Sequence, residues 1–166
     1  MSVRIVLTAT NYLVPRLIRW ITGSQVSHAG IQFSAPIWGS DLMVEATFPK
    51  ARFAPVEIAR HNVVYDYECK FDTTASFKAI NTLVGQWFDI EGLLIIGWIR
   101  AVWILFRRRI KVPHRNAKEQ FCSELVARFL IAAKLPGTES WDPERITPED
   151  IRQYCEQHPE LFTRIL

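Results

Sequence analysis

Two stretches of this chain alternate apolar and polar residues with a period of two, and the loop between them holds both a proline and a glycine. In VSHAGIQF (26–33), Ala29, Ile31 and Phe33 alternate with His28, Gly30 and Gln32; in LMVEATF (42–48), Leu42, Val44, Ala46 and Phe48 alternate with Met43, Glu45 and Thr47. That period predicts half-buried strands, not helices. The segment SAPIWGSD, with Pro36 and Gly39, reads as the connecting loop. Placing both apolar faces on one core fixes the parity of the pairing, because a slip of one residue turns a strand over. His28, Glu45 and Thr47 then share the opposite face. With Phe33 opposite Leu42, His28 lies across from Thr47 and diagonal to Glu45, within reach of the longer side chain.

The remaining elements fill out an α+β chain. VRIVLTAT is a first strand, and HNVVYDYECKF is another. LVPRLIRWITG has helix-like spacing and stops at Gly23. TTASFKAINTLVGQWF is a helix candidate with Phe77, Ile80, Leu83 and Val84 along one side. A further helix runs from about Glu119 to Lys134 and ends at LPG. Near the C-terminus, DPERI and TPEDI each place Asp or Thr before Pro, the pattern of an N-cap followed by proline at the first helical position. A chain of 166 residues, 49% hydrophobic, buries one core and is too short for two comfortable domains, so 1–166 reads as a single domain.

Charge and cysteine usage narrow the partners. A net charge of +3 is too small to argue for nucleic acid. Cys69, Cys122 and Cys155 are odd in number and lack CxxC or paired Cys/His spacing, which argues against a disulfide framework and a structural zinc site. No metal or organic cofactor is expected. MSVRIVLTAT lacks the apolar core and cleavage site of a secretory signal, making the cytosol the simplest compartment. LLIIGWIRAVWILF (93–106) is strongly apolar but interrupted by Arg100 and shorter than the ~20 residues of a spanning helix. The basic run RRRIKVPHRNAK follows it. One reading is a core helix and a solvated loop; the other is peripheral contact with an anionic membrane through about 93–111.

The chemistry centres on FCSELVARFL (121–130). Cys122, Val126, Phe129 and Ala133 form one helical stripe, so the cysteine faces the body of the protein from the first turn. Unpaired N–H groups and the positive end of the helix dipole favour a thiolate there, and the same groups suit an oxyanion. A carboxylate beside an imidazole holds one nitrogen protonated and aims the other outward, which gives Glu45 and His28 the roles of orienter and base. Each residue also has an ordinary reading: Cys122 as core, His28 as a bonded strand residue, Glu45 as a solvated charge. Their combination carries the argument. His61 is a weaker base candidate, while His114 and His158 lie in polar surroundings. Ser123 belongs to no G-x-S-x-G elbow, and Glu124 is placed to cap the helix or to pair with Arg128 one turn on. Ser27, Thr47 and Ser123 are the candidates for substrate contact.

In this order along the chain, WITGSQVSHAGI, VEAT, GQWFDIEGLL, FCSELVARFL and ITPEDI resemble the circularly permuted papain-like hydrolases of the NlpC-like group, YaeF/YiiX type. The S-H-A-G-I strand and the C-S-E-L-V helix carry most of the likeness. The resemblance implies an antiparallel sheet or barrel packed against a nucleophile-bearing helix, with histidine preceding cysteine. Cys122 matches the nucleophile, His28 the base and Glu45 the variable third position. The stretch from about 95 to 115 departs from the pattern as an insertion. The expected activity is a cysteine-dependent amidase- or peptidase-like hydrolase acting on a peptide, amide or lipid acyl substrate. Its rivals are a lipid or thioester acyltransferase using the same pair, and a non-catalytic binding module that keeps the fold.

Overall fold

The computed structural model describes residues 2–9, 16, 19–20, 24–47, 49–88, 119–120 and 122–166. The segment 93–111, with its apolar and basic stretch, lies outside them, as does most of LVPRLIRWITG, of which Arg16, Arg19 and Trp20 are helical. Among the described residues no helix is long and apolar enough to cross a membrane.

Six strands form one open antiparallel sheet: β1 (Val3–Thr8), β2 (His28–Phe33), β3 (Leu42–Ala46), β4 (Ala51–Pro55), β5 (Val63–Cys69) and β8 (Phe162–Arg164). Their spatial order is β4-β3-β2-β1-β5-β8. β1 lies inside the sheet and is covered on both faces, so Val3, Ile5, Val6 and Leu7 are all buried and its sequence is nearly continuously apolar. Two-residue strands β6 (Trp87–Phe88) and β7 (Glu119–Gln120) pair in parallel beside the sheet.

Helices α2 (Thr74–Ile80), α3 (Cys122–Ala132) and α4 (Pro148–Gln157) are joined by a short α1 (Val56–Ala59). The main core gathers Ile5, Leu7, Ala29, Ile31 and Val44 from the sheet with Leu125, Val126, Phe129 and Leu130 from α3 and Ile151 from α4. The helix stripe that starts at Cys122 therefore packs on the sheet face predicted from the alternation. Phe33 stands opposite Leu42, and Ile31 opposite Val44, the register expected from parity.

The other face of the hairpin differs from the half-exposed strand expected. Met43 packs with Val6, Ala54 and Ala59 in a second, smaller core, and Gln32 and Glu45 are buried too. The cause is the chain after β4, whose α1 carries Ala59 onto this face.

Three boundaries also differ. The 73–88 helix candidate stops at Ile80, and after a turn ending at Gly85, with φ 90°, Trp87 and Phe88 join β7 instead. Sheet pairing there overrides helical periodicity. For the same reason α3 starts at Cys122 and not at Glu119. DPERI forms a single turn in which the Asp142 carboxylate accepts the Glu144 N–H at 3.2 Å. It cannot lengthen into α4, because Thr147, preceding Pro148, must be extended (ψ 162°). The TPEDI cap is as expected: Thr147 and Asp150 form a reciprocal capping box with Pro148 inside it.

Candidate active site

The site forms where β2 begins and β3 ends. Gly30 is paired with Glu45, so two residues back along β2 His28 lies diagonal to that carboxylate. The two side chains meet, with His28 Nε2 2.9 Å from Glu45 Oε2. Glu45 is 4% exposed and is thus no solvated surface charge. Its second oxygen is taken by β4: Arg52 stands directly opposite Glu45 in the β3–β4 ladder and donates from Nε at 3.1 Å and Nη2 at 2.9 Å to Oε1.

Cys122 reaches the same place from the other side as the first residue of α3, 5% exposed. Its sulfur is hydrogen-bonded to the His28 side chain and to the backbone N–H groups of Ala29 and Ser123. Because Nε2 of His28 is engaged by Glu45, Nδ1 is left to face the sulfur. Ala29 lies one residue beyond the last β2–β3 pair, and its N–H turns to the sulfur. The Ser123 N–H is one of the unpaired donors that open any helix.

Electrostatics follow from these contacts. Burial alone would raise the Cys122 thiol, but the His28 charge and hydrogen bond, helped by the two N–H groups, hold it below its ordinary value. Burial likewise opposes charge on His28, and the sulfur and then Glu45 overcome it, pushing the imidazole up to about 10. Burial would raise Glu45, yet His28 and Arg52 keep its carboxyl below the usual value. The two shifts at Cys122 and His28 are halves of one interaction, a proton resident on nitrogen and a charge on sulfur.

The other candidates fall elsewhere or serve differently. Ser27 is buried, its hydroxyl donating to the Thr8 carbonyl at 3.3 Å, which ties the start of β2 to β1. Thr47 is half-buried just past β3, and Ser123 is buried beside Cys122. Glu124 binds Arg128 in the expected pair, Nη2 to Oε1 at 2.8 Å. His61 is exposed in the turn before β5, His158 is bonded to Glu160 at 2.8 Å, and His114 lies outside the described residues. All three cysteines are free, but burial pushes Cys69 up to about 12 and raises Cys155 as well. Among the described residues no group of three or more His, Cys, Asp or Glu could hold a metal ion.

Sequence reasoning missed Arg52 and the Ala29 N–H. A signal for the arginine exists: the turn residues around Pro49 separate LMVEATF from ARFAP, and a tight hairpin there sets Arg52 against Glu45. Nothing comparable marks the Ala29 N–H, since ladder ends depend on tertiary pairing.

No known protein-family model matches the chain, and no curated protein matches its sequence.

Proposed function

We propose that the protein is a cysteine-dependent hydrolase of the circularly permuted papain-like type, cleaving an amide or ester through an acyl-enzyme. The observation that carries this reading is the unbroken chain from the Cys122 sulfur to His28 to Glu45, in which the imidazole bonds the sulfur on one side and the carboxylate, at 2.9 Å, on the other. The Cys122 thiolate attacks the carbonyl carbon, and the carbonyl π electrons move onto oxygen. N–H groups at the start of α3 hold that oxyanion. As the carbon–heteroatom bond breaks, the His28 imidazolium gives its proton to the leaving group. Water then attacks the thioester, His28 takes a proton from it, and the acid departs as the thiolate returns. Glu45 keeps the imidazole oriented and stabilises its charge in each half.

The test uses a p-nitrophenyl ester as acyl donor. The wild-type chain is expected to release p-nitrophenol while its mass rises by one acyl group on the peptide containing Cys122. Cys122→Ala and His28→Ala should each lose the adduct. Release that persists undiminished in Cys122→Ala would reject the reading. Running the reaction with added amine or alcohol separates hydrolysis from acyl transfer by its products.

A further inference from the structure

The carboxylate that orients His28 is itself held. Arg52 is its direct partner across β3 and β4, and its Nε and Nη2 both close on Oε1, while Oε2 is left to the imidazole. A carboxylate gripped at one oxygen by two donors of a planar fork has little freedom to turn. From the geometry we infer that Arg52 is a positioning residue for the site: it acts through Glu45, fixing which oxygen meets His28 and keeping that oxygen charged. The inference deepens the Cys122–His28 reading and rests on it.

Glu45 is buried, so its charge depends on its neighbours. Of the elements around β3, β2 presents His28 and β4 presents Arg52. α1 carries Glu57, which is exposed, and α3 carries Cys122 together with Glu124, the latter paired with Arg128. Among the described residues the cations on Glu45 are thus His28 and Arg52, and only the second is permanently charged. Removing it lets Glu45 take a proton at higher pH. A neutral Glu45 no longer supports the imidazolium, the sulfur loses its counter-ion, and the thiol re-forms earlier on acidification. Arg52 also draws on charge that Glu45 offers to His28, but without the fork the carboxylate is free to turn from the ring, and loss of the His28 bond outweighs relief of that competition. Because the Arg52 side chain is 49% exposed, solvent screens part of its effect, so a modest shift is expected.

The experiment follows alkylation of Cys122 by iodoacetamide against pH in the full chain, read by peptide mass. In Arg52→Met the acid limb is expected to move up by about half a pH unit or more. Arg52→Lys, which restores charge without the fork, should return most of that shift, at a lower limiting rate. In a Glu45→Gln background, Arg52→Met should move nothing further. An Arg52→Met limb that coincides with wild type overturns the inference, and so does an equal shift with and without Glu45. Failure of the underlying reading looks different: the unsubstituted chain itself would show no alkylation below the free-thiol range.

Discussion

His28 binds Glu45 through Nε2 at 2.9 Å although the two residues are not backbone partners; Glu45 is paired with Gly30, and its side chain leans diagonally along the sheet to reach the ring. That bond leaves Nδ1 for the sulfur, so reactivity at Cys122 depends on residue 28 being an imidazole. Wild-type Cys122 is expected to alkylate with iodoacetamide well below the ~8.5 of a free thiol. In His28→Ala only burial and the two N–H groups remain, and the onset should move upward by at least about two pH units. Cys69, pushed up to about 12, and Cys155, raised by burial, serve as internal controls that stay unlabelled near neutrality. Equal labelling of the three cysteines in the folded chain would defeat the assignment.

Stability should record the same pair. His28 is raised to about 10 from 6.5, so its share of stability is complete below 6.5 and is lost as pH rises toward 10. Cys122 is lowered, so its share is complete above the free value of ~8.5 and is lost as pH falls toward its folded value. Between ~6.5 and ~8.5 the unfolded chain holds a neutral imidazole and thiol, the folded pair shares one proton between nitrogen and sulfur, and the proton counts agree. The two slopes therefore cancel. Urea unfolding from about pH 5 to about pH 10, for wild type against the His28→Ala/Cys122→Ala double variant, should give a stability difference that is flat across that window and declines on both sides. A difference that climbs or drops steadily through neutrality means that the folded pair does not hold a single proton across that window, and that the two groups are not coupled.

Local pattern carried the hairpin and the stripe of α3, because both obey a period that burial enforces: Phe33 opposite Leu42, and Cys122 in line with Val126 and Phe129. From parity alone His28 and Glu45 could be placed on one face, with Glu45 in reach. What parity does not carry is the burial of that face, which depends on α1 folding over Met43 and on Arg52 arriving from β4. β4, β8 and α1 are short, so their periodicity is weak against the alternatives. Trp87 and Phe88 show the opposite error: helical spacing continued on paper past Ile80, while pairing with β7 claimed them in the fold.

A second buried carboxylate separates stability from chemistry. Asp66 on β5 is fully buried and receives Arg4 of β1, at 3.4 Å, and Arg60, which follows α1. It ties the crossing segment after β4 to the middle of the sheet. Asp66→Ala leaves two arginines without their partner and should cost about 2 kcal/mol or more in urea unfolding, the low end for a broken buried pair because both guanidinium groups keep some solvent. Arg4→Met and Arg60→Met should each cost less, since one cation remains. None of the three should move the pH at which Cys122 alkylates, and a shift there would mean that the Asp66 cluster and the Cys122 site are coupled.

Gly30, paired with Glu45 across the β2–β3 ladder, lies against Met43 of the second core. A Cβ built there would lie 2.1 Å from the terminal methyl of Met43 and 3.2 Å from the Val44 carbonyl oxygen. The methyl is the end of a flexible side chain and can swing away, at the expense of its contacts with Val6 and Ala54; the carbonyl belongs to the ladder and can give only slightly. Gly30→Ala should therefore cost about 1 kcal/mol, read from urea unfolding. Met43→Leu removes the offending atom, so the double variant should recover roughly half of that loss relative to Met43→Leu alone, a coupling expected of residues in contact. Additive costs would mean that the strain of an added methyl falls on the Val44 carbonyl and not on Met43. Gly30→Val adds bulk that neither neighbour can yield, and it is expected to destabilise by more than Gly30→Ala in either background.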